Sequence, residues 1–126
     1  MPILVLVRGL PHSGKTTYAN DNFAAIGFKH LESDMFFTKG GVYKYVPGQN
    51  PKAIDWCQRE TLKAMKLGED IVVSNVFAKH WEMGFYLDNA RKLGYTVIVH
   101  RCYAYFGPSP KIPIQLFNYI SEVFEP

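Results

Sequence analysis

Along the chain, short apolar runs alternate with segments whose apolar residues recur every three or four positions, the pattern of strands alternating with helices. Ile3-Leu4-Val5-Leu6-Val7 is apolar throughout, which predicts a parallel strand covered on both faces. A helix is expected over about residues 15–23. Gly27 then breaks the chain, and residues 28–32 alternate as a second strand that ends at Ser33-Asp34. Residues 38–49 are rich in Gly, Tyr and Lys and predict a long surface loop, a common place for binding residues. Asn50 is placed as cap and Pro51 as first residue of the next helix, with Ile54, Cys57, Thr61, Ala64 and Met65 inward and Gly68 as its stop. A third strand, Ile71-Val72-Val73-Ser74-Asn75, precedes a helix over 79–93 with Met83, Leu87, Ala90 and Leu93 inward. A fourth strand covers 95–100, and its continuation to Tyr105 is left open. Beyond the breakers Gly107-Pro108-Ser109-Pro110, a last helix from about Pro113 gathers Leu116, Phe117, Ile120, Val123 and Phe124 on one docking face.

The first strand runs into Gly9-Leu10-Pro11-His12-Ser13-Gly14-Lys15-Thr16, which fits G-x-x-x-x-G-K-[ST], the phosphate loop. Glycines let the backbone turn tightly, so that successive N–H groups face phosphate oxygens. The helix that follows adds its positive end and its unbonded N–H groups. Gly9, His12, Ser13, Gly14, Lys15, Thr16 and Thr17 are therefore the candidates for binding a nucleoside triphosphate, with ATP and Mg2+ as cofactors. Lys15 is expected to reach the β- and γ-phosphates, and Thr16 to be the metal ligand. His12 stands where a small residue is common; it either narrows the loop or faces solvent.

Around such a loop, the alternation predicts an α/β fold: a three-layer P-loop NTPase sandwich on a mainly parallel sheet of four to five strands. The 126 residues are read as a single domain. A chain 48% hydrophobic and 15% aromatic has enough apolar surface to fold, which excludes a disordered class. The net charge of +3 admits an anionic substrate but does not itself argue for nucleic acid. Cys57 and Cys102 lie far apart in apolar contexts and read as buried thiols of a reducing compartment, without metal spacing. The chain starts directly in a core strand and carries no run of membrane-spanning length, so the expected location is cytoplasmic, with no membrane partner.

In a parallel sheet the site lies beyond the carboxyl ends of the strands, which singles out Arg8, Ser33, Asp34, Ser74, Asn75 and Arg101. Asp34 can accept the proton of a hydroxyl that attacks the γ-phosphate; its plainer role is to cap the turn through 35–37. Ser74 and Asn75 offer neutral oxygens for a metal-bound water, for substrate, or for capping the next turn. Lys79 and Arg101 are candidates for stabilising charge on the transferring phosphoryl group. Tyr43, Lys44 and Tyr45 suit stacking and phosphate contact with a nucleotide. Trp56 and Trp81 are read as helix core, and His100 as packed or surface.

The segments RGLPHSGKTT at 8–17, SDMFF at 33–37, GVYKY at 41–45, AIDWCQRETLKAMKLG at 53–68, VVSN at 72–75 and WEM at 81–83 carry a resemblance. The chain resembles the 5′-hydroxyl polynucleotide kinase domains of bacteriophage type and related AAA-type, polynucleotide-kinase-like ATPase domains, over about residues 3–101. The resemblance implies ATP-dependent phosphoryl transfer to a 5′-hydroxyl with Mg2+. Lys15 and Thr16 would serve phosphate and metal, and Asp34 would be the general base. Three departures stand out. Residues 35–37 hold no arginine where the family often has one, and Ser74 stands where an acidic residue often ends the third strand. After Arg101 there is no arginine at all, only Lys111, whereas the family carries an arginine-bearing lid there. The lid is therefore expected to be reduced.

The sequence predicts a small P-loop kinase that phosphorylates a hydroxyl, foremost the 5′-OH of a nucleic-acid end. Lys15, Asp34 and Arg101 are its expected catalytic residues, and Asp34, Tyr43, Lys44, Asn75 and Lys79 are expected to bind the acceptor. The alternatives are a nucleoside or small-metabolite kinase, and a nucleotide-binding module without chemistry that acts through a protein partner.

Overall fold

A computed structural model describes residues 1–107 and 112–126. Among them the chain runs β1 (Ile3–Gly9), α1 (Lys15–Asn22), β2 (Lys29–Leu31), β3 (Thr38–Lys39), β4 (Val42–Tyr43), α2 (Asn50–Lys66), β5 (Ile71–Asn75), α3 (Gly84–Lys92), β6 (Thr96–Cys102) and α4 (Ile114–Val123). Four strands form a fully parallel sheet in the order β2-β5-β1-β6, and β3 and β4 make a separate hairpin. The expected α/β fold is the observed one.

The unbroken apolar run of β1 places it at the centre of the sheet, where both faces are covered. Strand pleating sends alternate side chains to opposite faces. Leu4 and Leu6 join Leu31, Ile71, Val73 and the inward residues of α2 and α3 on one side. Val5, Val7 and Val72 meet Ala19 of α1 on the other, backed by Tyr18, Phe23 and Phe28. Burial of each such side chain stabilises the fold by about 1.5–3 kcal/mol. The result is three layers, with α2 and α3 on one face of the sheet and α1 on the other.

Several helix details differ from expectation. Asn50 is the first residue of α2 rather than its cap, a position taken by Gln49. Cys57, Thr61, Ala64 and Met65 are buried as expected, whereas Ile54 is 49% exposed at the solvent edge of α2. The helix expected over 79–93 is two pieces, a 3-10 turn over His80–Met83 and then α3. That break changes the helical phase, so Tyr86 enters the core while Leu87 and Leu93 stay partly outside. It also leaves Trp81 78% exposed, not in the core.

The loop expected over 38–49 contains the β3–β4 hairpin, made possible by Gly40 and Gly41 at φ 59° and 79°. As the edge strand of the sheet, β6 leaves Ile98 and Val99 half-exposed. No residue of α4 is fully buried, although Phe117 packs on Tyr105. Pro108, Ser109, Pro110 and Lys111, the breakers and the late cation of the sequence reading, lie outside the described residues. Because all four strands of the sheet are parallel, Gly9, Glu32, Asn75 and Cys102 all fall at its carboxyl edge.

Candidate active site

The phosphate loop joins the end of β1 to α1, and its shape follows from tight sterics. A Cβ on Gly9 would sit 2.5 Å from Ser13 Oγ and 2.9 Å from the Cys102 carbonyl, so only glycine fits. Gly14, at φ 84°, is the last residue before the helix. His12 holds φ 63°, uncommon for a side-chain-bearing residue. Its imidazole Nδ1 donates to the Gly107 carbonyl at 2.7 Å, and its own carbonyl accepts the Phe106 N–H at 3.1 Å. His12 therefore ties the loop to the segment that follows β6.

Among the described residues, the backbone N–H groups of Ser13, Gly14, Lys15 and Thr16 donate to no protein acceptor. Ser13 Oγ is buried without a hydrogen-bond partner, and the first turn of α1 carries no acidic side chain to offset its dipole. Unbonded donors at a positive helix end suit an oxyanion. The Lys15 ammonium donates to the Leu10 carbonyl at 2.9 Å, within its own loop. Burial holds its pKa below that of an ordinary lysine, against the opposing pull of Glu32.

A residue that sequence reasoning passed over stands beside this loop. Glu32 follows β2 directly, and its Oε2 accepts the hydroxyls of Thr16 at 2.9 Å and Ser74 at 2.8 Å. His30 Nε2 lies 2.7 Å from Ser74 Oγ. Ser74 gives its proton to Glu32, so His30 must donate to Ser74 through Nε2–H. The available signal was the position of Glu32 at a strand end.

Two residues on, Asp34 sits in the 3-10 turn Ser33–Phe37. Its Oδ1 accepts the Tyr43 hydroxyl at 2.9 Å. Burial, with Asp34 as the second cause, pushes the Tyr43 pKa up to about 12. The rings of this turn form a connected cluster, Phe36 against Trp56 and Phe37, and Phe37 against Tyr43 and Tyr45, with Lys39 over the Phe36 ring. The Asn75 side chain braces the turn by accepting the Ser33 N–H. Lys44 is exposed on the hairpin, bonded through its backbone to Phe37.

The remaining strand-end cations are engaged elsewhere. Arg8 is buried and donates to the carbonyls of Phe77, Ala78 and Glu125. Arg101 lies over Phe124 and Tyr103, and Arg8 also lies over the Phe124 ring. Lys79 starts the turn that Glu82 and Glu125 brace. Arg101 also borders a cleft of about 760 Å3 between α1 and the end of β6, walled by Gly14, Thr17, Tyr18, His100 and Phe106. His100 stacks flat on Tyr18 at 4.1 Å, which makes it packed, as expected.

No group of three or more His, Cys, Asp or Glu among the described residues could cage a metal. Mg2+ needs no such cage, because it keeps several waters and takes one or two protein oxygens beside substrate phosphates. Thr16 Oγ1, with its proton committed to Glu32, meets that demand. None of the described helices is long and apolar enough to cross a membrane.

The chain is similar to NEDD4-binding protein 2 of Homo sapiens, 30% identical over 114 residues, which cover 86% of this chain and 6% of that protein. Its fold is similar to a sugar kinase from Janibacter sp., with a TM-score of 0.67 at 16% identity over 100% of this chain and 79% of the other. It is also similar to a chain of the Pnkp1/Rnl/Hen1 RNA repair complex, with a TM-score of 0.62 at 11% identity over 96% of this chain and 37% of the other. The AAA domain matches residues 4–105, nearly all of the sheet and its phosphate loop, and the chain belongs to that family.

Proposed function

We propose that this chain is an ATP-dependent P-loop kinase that phosphorylates the 5′-hydroxyl of a nucleic-acid end. The observation that carries the reading is Asp34: a carboxylate two residues beyond the Glu32–Thr16 contact, on an aromatic shelf of Phe36, Tyr43, Tyr45 and Trp56. The loop N–H groups and Lys15 bind the phosphates, and the aromatic walls of the cleft by Tyr18 and Phe106 receive the nucleoside. The acceptor base stacks on the shelf, with Lys39 and Lys44 beside it for the strand's phosphates. Asp34 takes the proton of the attacking hydroxyl, and positioning plus charge stabilisation supplies most of the rate. Thr16 would hold Mg2+, which when bound neutralises charge on the phosphates. Phe106 and Gly107 rest on His12 beside the phosphate loop.

The test is transfer of labelled γ-phosphate from MgATP to a 5′-hydroxyl oligonucleotide and, in parallel, to nucleosides, with Lys15→Ala as control. Label on the oligonucleotide that Lys15→Ala abolishes supports the reading; preferential nucleoside labelling replaces the acceptor. A second reading, nucleotide binding without chemistry, is favoured by Arg101, whose guanidinium stacks on Phe124 and Tyr103. Bound ATP without product on any hydroxyl would select it.

A further inference from the structure

The end of β5 is Ser74-Asn75, so the strand paired with β1 carries no carboxylate at its carboxyl end. The strand on its other side does. β2 pairs with β5 through Leu31 and Val73, which brings the next residues, Glu32 and Ser74, side by side. Glu32 Oε2 then spans the gap, accepting from Ser74 Oγ at 2.8 Å and from Thr16 Oγ1 at 2.9 Å. We propose that Glu32 is the metal-associated carboxylate of this site, supplied from β2 across Ser74, and that Thr16 and Glu32 together seat the divalent cation that accompanies the nucleotide.

The chemistry follows from the donor inventory of a hydroxyl, one proton and two lone pairs. With its proton held by Glu32, Thr16 Oγ1 keeps its lone pairs for a cation. The Glu32 charge then offsets the ion's charge at one remove, and Oε1, which makes no hydrogen bond among the described residues, is left for a water on the ion. Ser74 and His30 are positioning residues: the His30 Nε2–H to Ser74 Oγ bond orients the Ser74 proton onto Glu32. A surface ion pair would explain none of this, since Glu32 lies 3.8 Å from His30 and, among the described residues, has no lysine or arginine within salt-bridge range. The site is read here as a nucleotide site, so the inference rests on the proposed function.

The test reads nucleotide binding, not turnover. Affinity for a fluorescent ATP analogue is titrated with Mg2+ and with EDTA, for the wild type, Glu32→Gln, and the relocation variant Glu32→Ser/Ser74→Asp. Glu32→Gln keeps the shape and can still accept the Thr16 hydroxyl, so thermal melts should show it folded. The wild type should bind more tightly with Mg2+. Glu32→Gln should lose roughly 10- to 100-fold of that gain while its affinity in EDTA is unchanged, and the relocation variant should recover most of it. A full Mg2+ gain in Glu32→Gln overturns the proposal, as does a wild type that binds equally well with and without Mg2+. A wild type that binds no nucleotide in either condition overturns the nucleotide reading itself.

Discussion

Asn75 Oδ1 accepts the backbone N–H of Ser33 at 2.9 Å, while its Nδ2 reaches Cys57 Sγ at 3.7 Å. One amide at the end of β5 thus holds the start of the turn that carries Asp34. Asn75→Ala leaves the Ser33 N–H without its partner and should cost about 1–2 kcal/mol of stability. Under the proposed function it should lower kcat several-fold through a misplaced Asp34, with the nucleotide Kd unchanged. Urea unfolding and steady-state kinetics measure the two effects separately. An unchanged kcat beside the expected loss of stability would make Asn75 a fold residue only.

Asp34 lends itself to a test with two independent readings. Asp34→Asn removes the proton acceptor but keeps size and hydrogen bonding, so transfer should fall by about 10²- to 10⁴-fold with ATP binding retained. The same change removes the charge that helps hold the Tyr43 phenol near pKa 12. Its tyrosinate should therefore appear at lower pH in an ultraviolet titration of the variant. Burial is the larger cause, so the Tyr43 pKa should stay above that of a free tyrosine. A wild-type transfer rate in Asp34→Asn would remove Asp34 as the base whatever Tyr43 does.

The sequence made the phosphate loop legible because its glycines answer a local steric demand, which spacing alone displays. The same holds for β1, whose unbroken apolar run can only be a covered strand. Glu32 was harder to see. Its importance depends on β2 lying beside β5, and strand order is a matter of packing that no local pattern encodes. The fate of Arg8 and Arg101 was hidden for a similar reason: each is engaged by Phe124, more than twenty residues away along the chain. Trp81 and Leu87 were misplaced because a 3-10 turn shifted the helical phase by a fraction of a turn, and a period of 3.6 residues does not survive such a slip.

Gly9 separates steric from conformational demand. Its backbone angle is not in the left-handed region, so alanine would suffer no φ strain there, but its Cβ would strike Ser13 Oγ and the Cys102 carbonyl. The carbonyl is backbone and cannot swing aside. Gly9→Ala should therefore cost about 1–3 kcal/mol, in the range of an overpacked core site. It should also weaken nucleotide binding, because relief displaces the Ser13 side chain and shifts the loop backbone at residue 9 away from the Cys102 carbonyl. Thermal unfolding and nucleotide titration on one preparation test both. Gly27→Ala is the matched contrast: its Cβ meets nothing within 4 Å, but φ is 102°, so any loss there is conformational and should leave nucleotide affinity intact.

His30 gives the stability curve a defined slope on the acid side. Burial holds its pKa below the ordinary histidine value, and the neighbouring Glu32 carboxylate only partly offsets this. In the unfolded chain the imidazole protonates near pH 6.5. Between that pH and the lower folded value, the unfolded chain binds more protons than the native one, so stability rises with pH across the interval. The contribution is fully present above about pH 6.5 and is lost as pH falls through the folded pKa. His30→Gln keeps a donor for Ser74 Oγ but does not titrate. Unfolding free energies of both proteins, measured by denaturant titration from about pH 7.5 down to about pH 5, should therefore diverge, with the wild type losing more stability. Parallel curves would show that His30 protonates as readily in the fold as outside it. Added charge would enter at Nδ1, because Nε2–H is already the donor to Ser74, so the bond to Ser74 should survive the acid side of the transition while the fold around it weakens.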